Sequence, residues 1–399
     1  MRAASAYAPA RSRPITSVPG CSLNHSATVP AFRSARTSTG DQNSPIPMSP
    51  SQREVVDTIF RPSFTHGLSL YQIMSAPISD GRNHTYSTDT VARVNTEQIY
   101  ATGVLQYPAL GRMMERADRG RELNSWALNP NRPDTASVMA LDDCGFDTKT
   151  PQGVSGASLF PILSAIDSIV VIHGVLQRVR QMTPFNHHPV SVMSLCRTAF
   201  ESSSQSIWIL SPTDREGRRR RAAGASAVGA GQKYSHLSTE LRAHDAKTQT
   251  IPEPYLAEMR NNLNFAKEEL DKVKTVDSET ASFSKMVTLA GKWLHTNPPP
   301  HLKAELGSLD LSMRIDQHYR ICSSFTHGYN WATDFVTAEG IGGIAKMLAD
   351  AIAVAVYVTE SAVCLFEAQA TNSGSVPPRH RNYPARLQPS VDAWTVTYA

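Results

Sequence analysis

Arg320 and His327 are the residues whose types and spacing point most directly to chemistry. They stand seven apart within LSMRIDQHYRICSSFTHGYNW, residues 311–331. On a helix that spacing places them two turns apart on one face. A permanent cation and a side chain that titrates near neutrality then reach one small anionic group. Such a pair can cleave a phosphodiester beside a 2′-hydroxyl without a metal. The His moves the proton, and the Arg holds the extra charge on the phosphate. Ser323 and Ser324 lie beside the pair. The alternative is a solvent-facing polar stripe with no chemistry.

A second polar pair, Arg197 and Glu201, has the i,i+4 spacing of a helical ion pair. It is either an ordinary surface pair or a support facing the bundle interior, where it orients the polar stripe of the 310–331 helix. A buried charge pair needs further partners, and His327 or Arg320 can supply one. Arg218, Arg219, Arg220 and Arg221, with Arg215 just before them, form the one dense basic run. It is a candidate phosphate contact or a solvated helix start.

Three other motifs are weaker. Gly340–Ala345 fits the GxGxxA pattern, but a dinucleotide site needs a preceding strand, and the pattern around it is helical. His187 and His188, with His173, lack acidic partners at ligand spacing, so no metal is expected. No G-x-S-x-G elbow marks a hydrolase. No cofactor is expected.

The elements that must position these residues are helical. Helix-period apolar spacing covers about 90–127, 157–182, 189–211, a Gly/Ala-rich stretch from 213, 253–273, 278–295, 310–331 and 342–370. No segment alternates convincingly with period two. The expected fold is an all-α bundle of about six or seven helices with disordered tails. It divides into a tail over 1–50, an irregular helical region over 51–150, the main bundle over 151–372 and a tail over 373–399.

The net charge is +4, yet residues 1–40 hold five Arg and no acidic residue. The middle of the chain is therefore slightly acidic and has no global footprint for a nucleic-acid backbone. The Arg/Ser-rich start resembles an organellar transit peptide, and equally an over-extended gene start with Met48 as the initiator. Five scattered Cys without a CxxC pair indicate reduced, cytoplasmic usage. The apolar stretches are interrupted by Asp167, Asp350 and Glu360, so no membrane span is expected.

Two segments together resemble a known pattern. Arg197–Glu201, then Trp208-Ile209-Leu210-Ser211-Pro212 and the Arg-rich run, fit R-x3-E-x6-W-x-L-x-P. Tyr319-Arg320, Ser323 and His327-Gly328 fit Y-R-x2-S-x3-H-G. The combination resembles a mostly actinobacterial, all-helical family without a settled activity, over roughly residues 155–370. More distantly, the R-x6-H helix is similar to HEPN domains, many of which are RNases of toxin–antitoxin and phage-defence systems. That resemblance implies an intracellular homodimer acting on RNA, with an antitoxin or other protein partner. It gives Arg320 and His327 the catalytic role. The chain departs from it in its length and in Ile321 after the Arg. The competing reading is a non-catalytic interaction protein with a buried Arg/Glu/His network.

Overall fold

The computed structural model describes residues 110–146, 150, 152–179, 188–307, 309–372, 374 and 379–398. The chain divides into two units, 1–93 and 94–399, and all of these residues belong to the second. The expectations for the N-terminal tail, the start at Met48 and the segment before residue 110 lie outside the described residues.

Among the described residues the architecture is all-α, without a strand. A helical segment over 110–122 leads in. Eleven helices follow: α1 (Asn124–Leu128), α2 (Val138–Asp143), α3 (Gly153–Val179), α4 (Pro189–Leu210), α5 (Arg215–Asp245), α6 (Glu253–Lys274), α7 (Phe283–Thr296), α8 (Lys303–Leu306), α9 (Leu311–His327), α10 (Asp334–Ala370) and α11 (Gln388–Tyr398). The count corrects the expected six or seven. The long helices fall where apolar spacing places them, and the excess comes mainly from short α1, α2 and α8 and from α11.

Caps define the ends. Asp214 accepts the Gly217 N–H at 2.6 Å to start α5, and Asp310 accepts the Met313 N–H at 3.0 Å to start α9. The Gly/Ala run of α5 is continuous helix, and Gly224 lets it lie against the Glu279 backbone. A Cβ there would meet the Glu279 carbonyl oxygen at 1.8 Å. Helix α9 stops at His327, short of the expected Trp331. Gly328 turns left-handed at φ 66, and the Tyr329 N–H closes onto the Ser324 carbonyl at 3.0 Å.

Helices α4 and α10 form the centre. Both pack on α3 and α9, α4 also meets α5 and α7, and α10 also meets α11. Leu348, Ile352, Val356, Val363 and Phe366 of α10 are buried, as are Phe200, Ile207 and Trp208 of α4. By length and composition alone, α3 and residues 343–370 are apolar enough to cross a membrane, with mean hydropathies of 2.0 and 1.7. The second stretch is 89% buried inside the protein, as a core helix is, and the first 44%.

The same core takes in Leu110, Met113, Trp126 and Met139, which corrects the boundary expected near residue 150. It also takes in Tyr383, Leu387, Val391, Trp394 and Tyr398. The tail expected from Ser373 is therefore largely structured. Its Pro- and Arg-rich composition hides an apolar helical stripe, Leu387-Val391-Trp394-Tyr398, that packs on α10.

Two buried carboxylates fasten these outer segments to α10. Glu360 has no exposed surface. It accepts Arg119 Nη2 at 2.7 Å, Arg386 Nη2 at 2.7 Å and His301 Nε2 at 3.3 Å. Glu367 accepts Trp126 Nε1 at 2.8 Å and Arg379 Nε at 2.9 Å. Burial pushes the Glu360 pKa up, but the His301 hydrogen bond and the charges of Arg119 and Arg386 outweigh it. The result is a fall from 4.5 to about 2. A folded-state value below the unfolded one contributes stability in full above about pH 4.5, and that stability drains away as pH falls toward 2. Glu360→Gln leaves Arg119 and Arg386 facing an uncharged amide, and is expected to lower unfolding free energy at pH 7 by about 3–5 kcal/mol. Urea titrations at pH 7 and pH 3 check this. The gap between variant and wild type should narrow at the lower pH, and a variant as stable as wild type at pH 7 contradicts the reading.

Candidate functional site

Helices α4 and α9 pack together, and polar residues of both meet across the contact. Arg197 on α4 donates Nε to Glu201 Oε1 at 2.9 Å, the expected i,i+4 pair. Its Nη1 lies 2.6 Å from Nε2 of His327, the last residue of α9. Tyr319 on α9 donates its hydroxyl to the same Glu201 oxygen at 3.0 Å. Glu201 is thus the hub: it orients Arg197 from within its own helix and ties α9 down through Tyr319. Thr326 Oγ1 and Ser194 Oγ, 3.1 Å apart, add a second tie. Below them Cys322 Sγ meets Met193 Sδ at 3.5 Å in the core.

Burial grades across the cluster. Tyr319 is buried, the Arg197 and Glu201 side chains are about one fifth exposed (20% and 18%), and His327 is exposed. Burial raises the Tyr319 pKa, as do the charge of Glu201 and its hydrogen bond, so the phenol stays a donor. A guanidinium only donates, so His327 Nε2 accepts from Arg197 and the ring proton sits on Nδ1. The ring lies 5.6 Å from that of exposed Tyr329. The outcome is an accessible imidazole whose lone pair is held by a cation that is itself fixed from behind.

Of the residues singled out in the sequence, the structure brings Arg197, Glu201 and His327 together. Arg320 is not among them. Its side chain is 69% exposed and bonds Asp316 at 2.7 Å, one turn back along α9. Ser324 is buried and donates to the Arg320 carbonyl at 2.9 Å, whereas Ser323 lies partly exposed on the same helix. The arginine run faces largely inward. Arg218 forms a bidentate pair with buried Asp142 and donates to the Pro212 and Thr213 carbonyls. Arg219 donates to the Asp142 and Cys144 carbonyls at 2.7 Å each. Arg221 donates to the Trp208 carbonyl at 2.7 Å, and Arg220 pairs with Asp277 at 3.0 Å. Arg215 donates to the Leu141 carbonyl. These donors clamp α5 onto the C-terminal end of α2 and the end of α4, which leaves little of the run for the phosphate contacts expected of it.

Gly340–Ala345 lies inside α10, with no strand before it, so the geometry of a dinucleotide loop is absent there. His187 lies outside the described residues, His188 precedes α4, and His173 Nδ1 stands 3.8 Å from Asp118. Among the described residues no group of three His, Cys, Asp or Glu is placed to hold a metal ion.

Sequence reasoning missed a second constellation. Ser390 Oγ lies 2.7 Å from His301 Nδ1, and His301 Nε2 faces Glu360 at 3.3 Å. The order Ser–His–Glu is that of a nucleophilic triad. It is sealed, however. Ser390 and Glu360 are fully buried and the His301 side chain is 1% exposed. Ser390 Oγ also accepts the His301 backbone N–H at 3.1 Å. No substrate reaches it, so it belongs to the Glu360 fastening. The signal was present, because Glu360 interrupts an otherwise apolar helix and a buried charge requires partners. Tyr319 was noted only within a motif, since a Tyr on a mostly apolar face does not reveal where its hydroxyl points.

Comparison with protein-family models, with curated proteins and with solved structures finds no match. The site must therefore be interpreted from its own geometry.

The tautomer assignment is directly measurable. In long-range ¹H–¹⁵N spectra at pH 8, His327 is expected as the Nδ1–H form, and Arg197→Ala should shift it toward the Nε2–H form usual for free imidazole. An Nε2–H signal in the wild type contradicts the Arg197–His327 bond.

Proposed function

We propose that this is a HEPN-like helical protein acting as a metal-independent RNase, with His327 moving the proton and Arg197 as the cation that works with it. The observation that carries the reading is the 2.6 Å contact between Arg197 Nη1 and the Nε2 of an exposed histidine, with Glu201 fixing the guanidinium from behind. In the resting site Arg197 occupies the histidine lone pair. A phosphodiester draws that guanidinium onto its oxygens, since Arg pairs readily with phosphate. Nε2 is then free to take the proton of the neighbouring 2′-hydroxyl. The 2′-oxygen attacks phosphorus, the bond to the 5′-oxygen breaks, and a protonated His returns a proton to the leaving oxygen. Arg197 supports the charge that builds on the phosphate. Exposed Arg320, two turns earlier on the same helix, serves to collect the RNA backbone. A homodimer, a cytoplasmic setting and an antitoxin-type protein partner belong to the same proposal through the HEPN resemblance.

The second reading is a non-catalytic interaction protein. It is favoured by the fact that Arg197 and Tyr319 both hydrogen-bond to Glu201 and all three are partly or fully buried, as a purely structural network would be. Induced expression of the full chain in a bacterial host separates the two. Wild type should arrest growth and degrade total RNA, His327→Ala and Arg197→Ala should lose both effects by at least a hundredfold in rate, and Arg320→Ala should lose less. His327, being exposed, should leave the melting temperature within about 2 °C when replaced. Intact RNA under wild-type expression, with Arg197→Ala melting far lower, supports the structural network instead.

A further inference from the structure

A cleft of about 360 Å³ opens between α3, α4, α5 and α6, built from residues separate from the Arg197–His327 cluster. Its volume is at the small end of the range for small-molecule sites. Three features bear on what it holds. First, Ser226 lines it, and the Ser226 hydroxyl is buried without any hydrogen-bond partner. A buried unpaired hydroxyl is unfavourable, so a group that completes it gains affinity. Second, Pro161 stands inside α3 and lines the cleft together with Ala157. Proline has no N–H, so the Ala157 carbonyl four residues earlier loses its helical donor. Ala157 and Gln205 both line the cleft, so that carbonyl and the Gln205 side-chain amide are the candidate acceptors there.

Third, the charges at the cleft cancel. Lys233 Nζ and Glu269 Oε2 are 2.7 Å apart, and the ammonium lies 5.2 Å from the Phe265 ring centre. With its two charged side chains spent on each other, the cleft offers no net charge to an ionic ligand. The remaining walls are apolar apart from Gln152, and Phe160 is 73% exposed at this face, an aromatic surface open to stacking.

We propose that this cleft is a binding site for a small, uncharged, planar ligand of the aryl carboxamide class. The amide carbonyl accepts from the Ser226 hydroxyl, the amide N–H groups donate to the Ala157 carbonyl and the Gln205 side chain, and the ring stacks on Phe160. This proposal stands whether or not the protein cleaves RNA.

Benzamide is the probe, with benzoate and benzylamine as charged comparators of the same shape. Binding to the full-length protein is read by saturation-transfer NMR and titrated at millimolar concentration. Gly229 also lines the cleft, and a Cβ on it meets nothing within 4 Å. Gly229→Leu therefore places its Cβ without a clash and extends a side chain at the cleft wall, and in mid-helix it should hold or raise the melting temperature. Benzamide is expected to give saturable transfer that Gly229→Leu abolishes and Ser226→Ala weakens about tenfold, with benzoate and benzylamine at least tenfold weaker. The proposal is overturned by no transfer in the wild type, by transfer that survives in Gly229→Leu, by unchanged affinity in Ser226→Ala, or by a charged comparator binding as well as the amide.

Discussion

A carboxylate buried in the middle of an apolar helix governs how this chain closes. Glu360 of α10 sits among Thr359, Ser361 and Val363 with no access to water. Left alone, its charge would oppose folding by several kcal/mol. The cations that make it tolerable come from opposite ends of the described chain, Arg119 from the 110–122 segment and Arg386 from the turn before α11, with His301 between them in sequence. Glu367, two turns further along α10, repeats the device with Arg379 and Trp126. Hydrophobic burial drives these segments inward without direction, and the two carboxylates specify where they land. This explains why a carboxyl-terminal stretch rich in Pro and Arg is structured at all. Arg379 and Arg386 are the required counter-charges.

That arrangement also accounts for what was legible in the sequence. The long helices were legible because their apolar periodicity and their Pro and Gly punctuation are local properties. Pro189 and Pro212 bracket α4, and Asp310 opens α9. The close of α9 at Gly328 was misjudged because the Tyr329 and Trp331 that follow continue an apolar spacing, while the left-handed turn depends on a single glycine. The carboxyl-terminal helix was hidden for a different reason. Composition averaged over 27 residues conceals four apolar positions on one face. The arginine run was misread because a cluster of like charges looks solvated until its acceptors, chiefly backbone carbonyls and Asp142, are seen.

The candidate site shows the same division. The i,i+4 pair of Arg197 and Glu201 was visible as spacing, and its partnership with the 310–331 helix followed from the need to match a half-buried charge. Which residue of that helix would answer was open, because Arg320 and His327 share a face only approximately over seven residues. In the folded protein the two part company. Asp316 holds Arg320 toward solvent, and the end of the helix brings His327 back over α4. The cation beside the histidine thus comes from a different helix, 130 residues away in sequence. A side chain at the last residue of a helix, clamped through a partly buried hub yet exposed, combines rigidity with access, which proton-transfer chemistry needs.

The most direct test of that account is the chemistry of the cut. Purified protein in excess EDTA is given a short single-stranded RNA and the same strand with one 2′-deoxy nucleotide, and the products are resolved by mass. The account predicts cleavage of the all-ribose strand to fragments ending in a 2′,3′-cyclic phosphate, with the 2′-deoxy position resistant and the activity absent in His327→Ala. Intact RNA, or cleavage that proceeds equally at the 2′-deoxy position, would contradict it and leave the Arg197–Glu201–Tyr319–His327 cluster as a clamp between two helices.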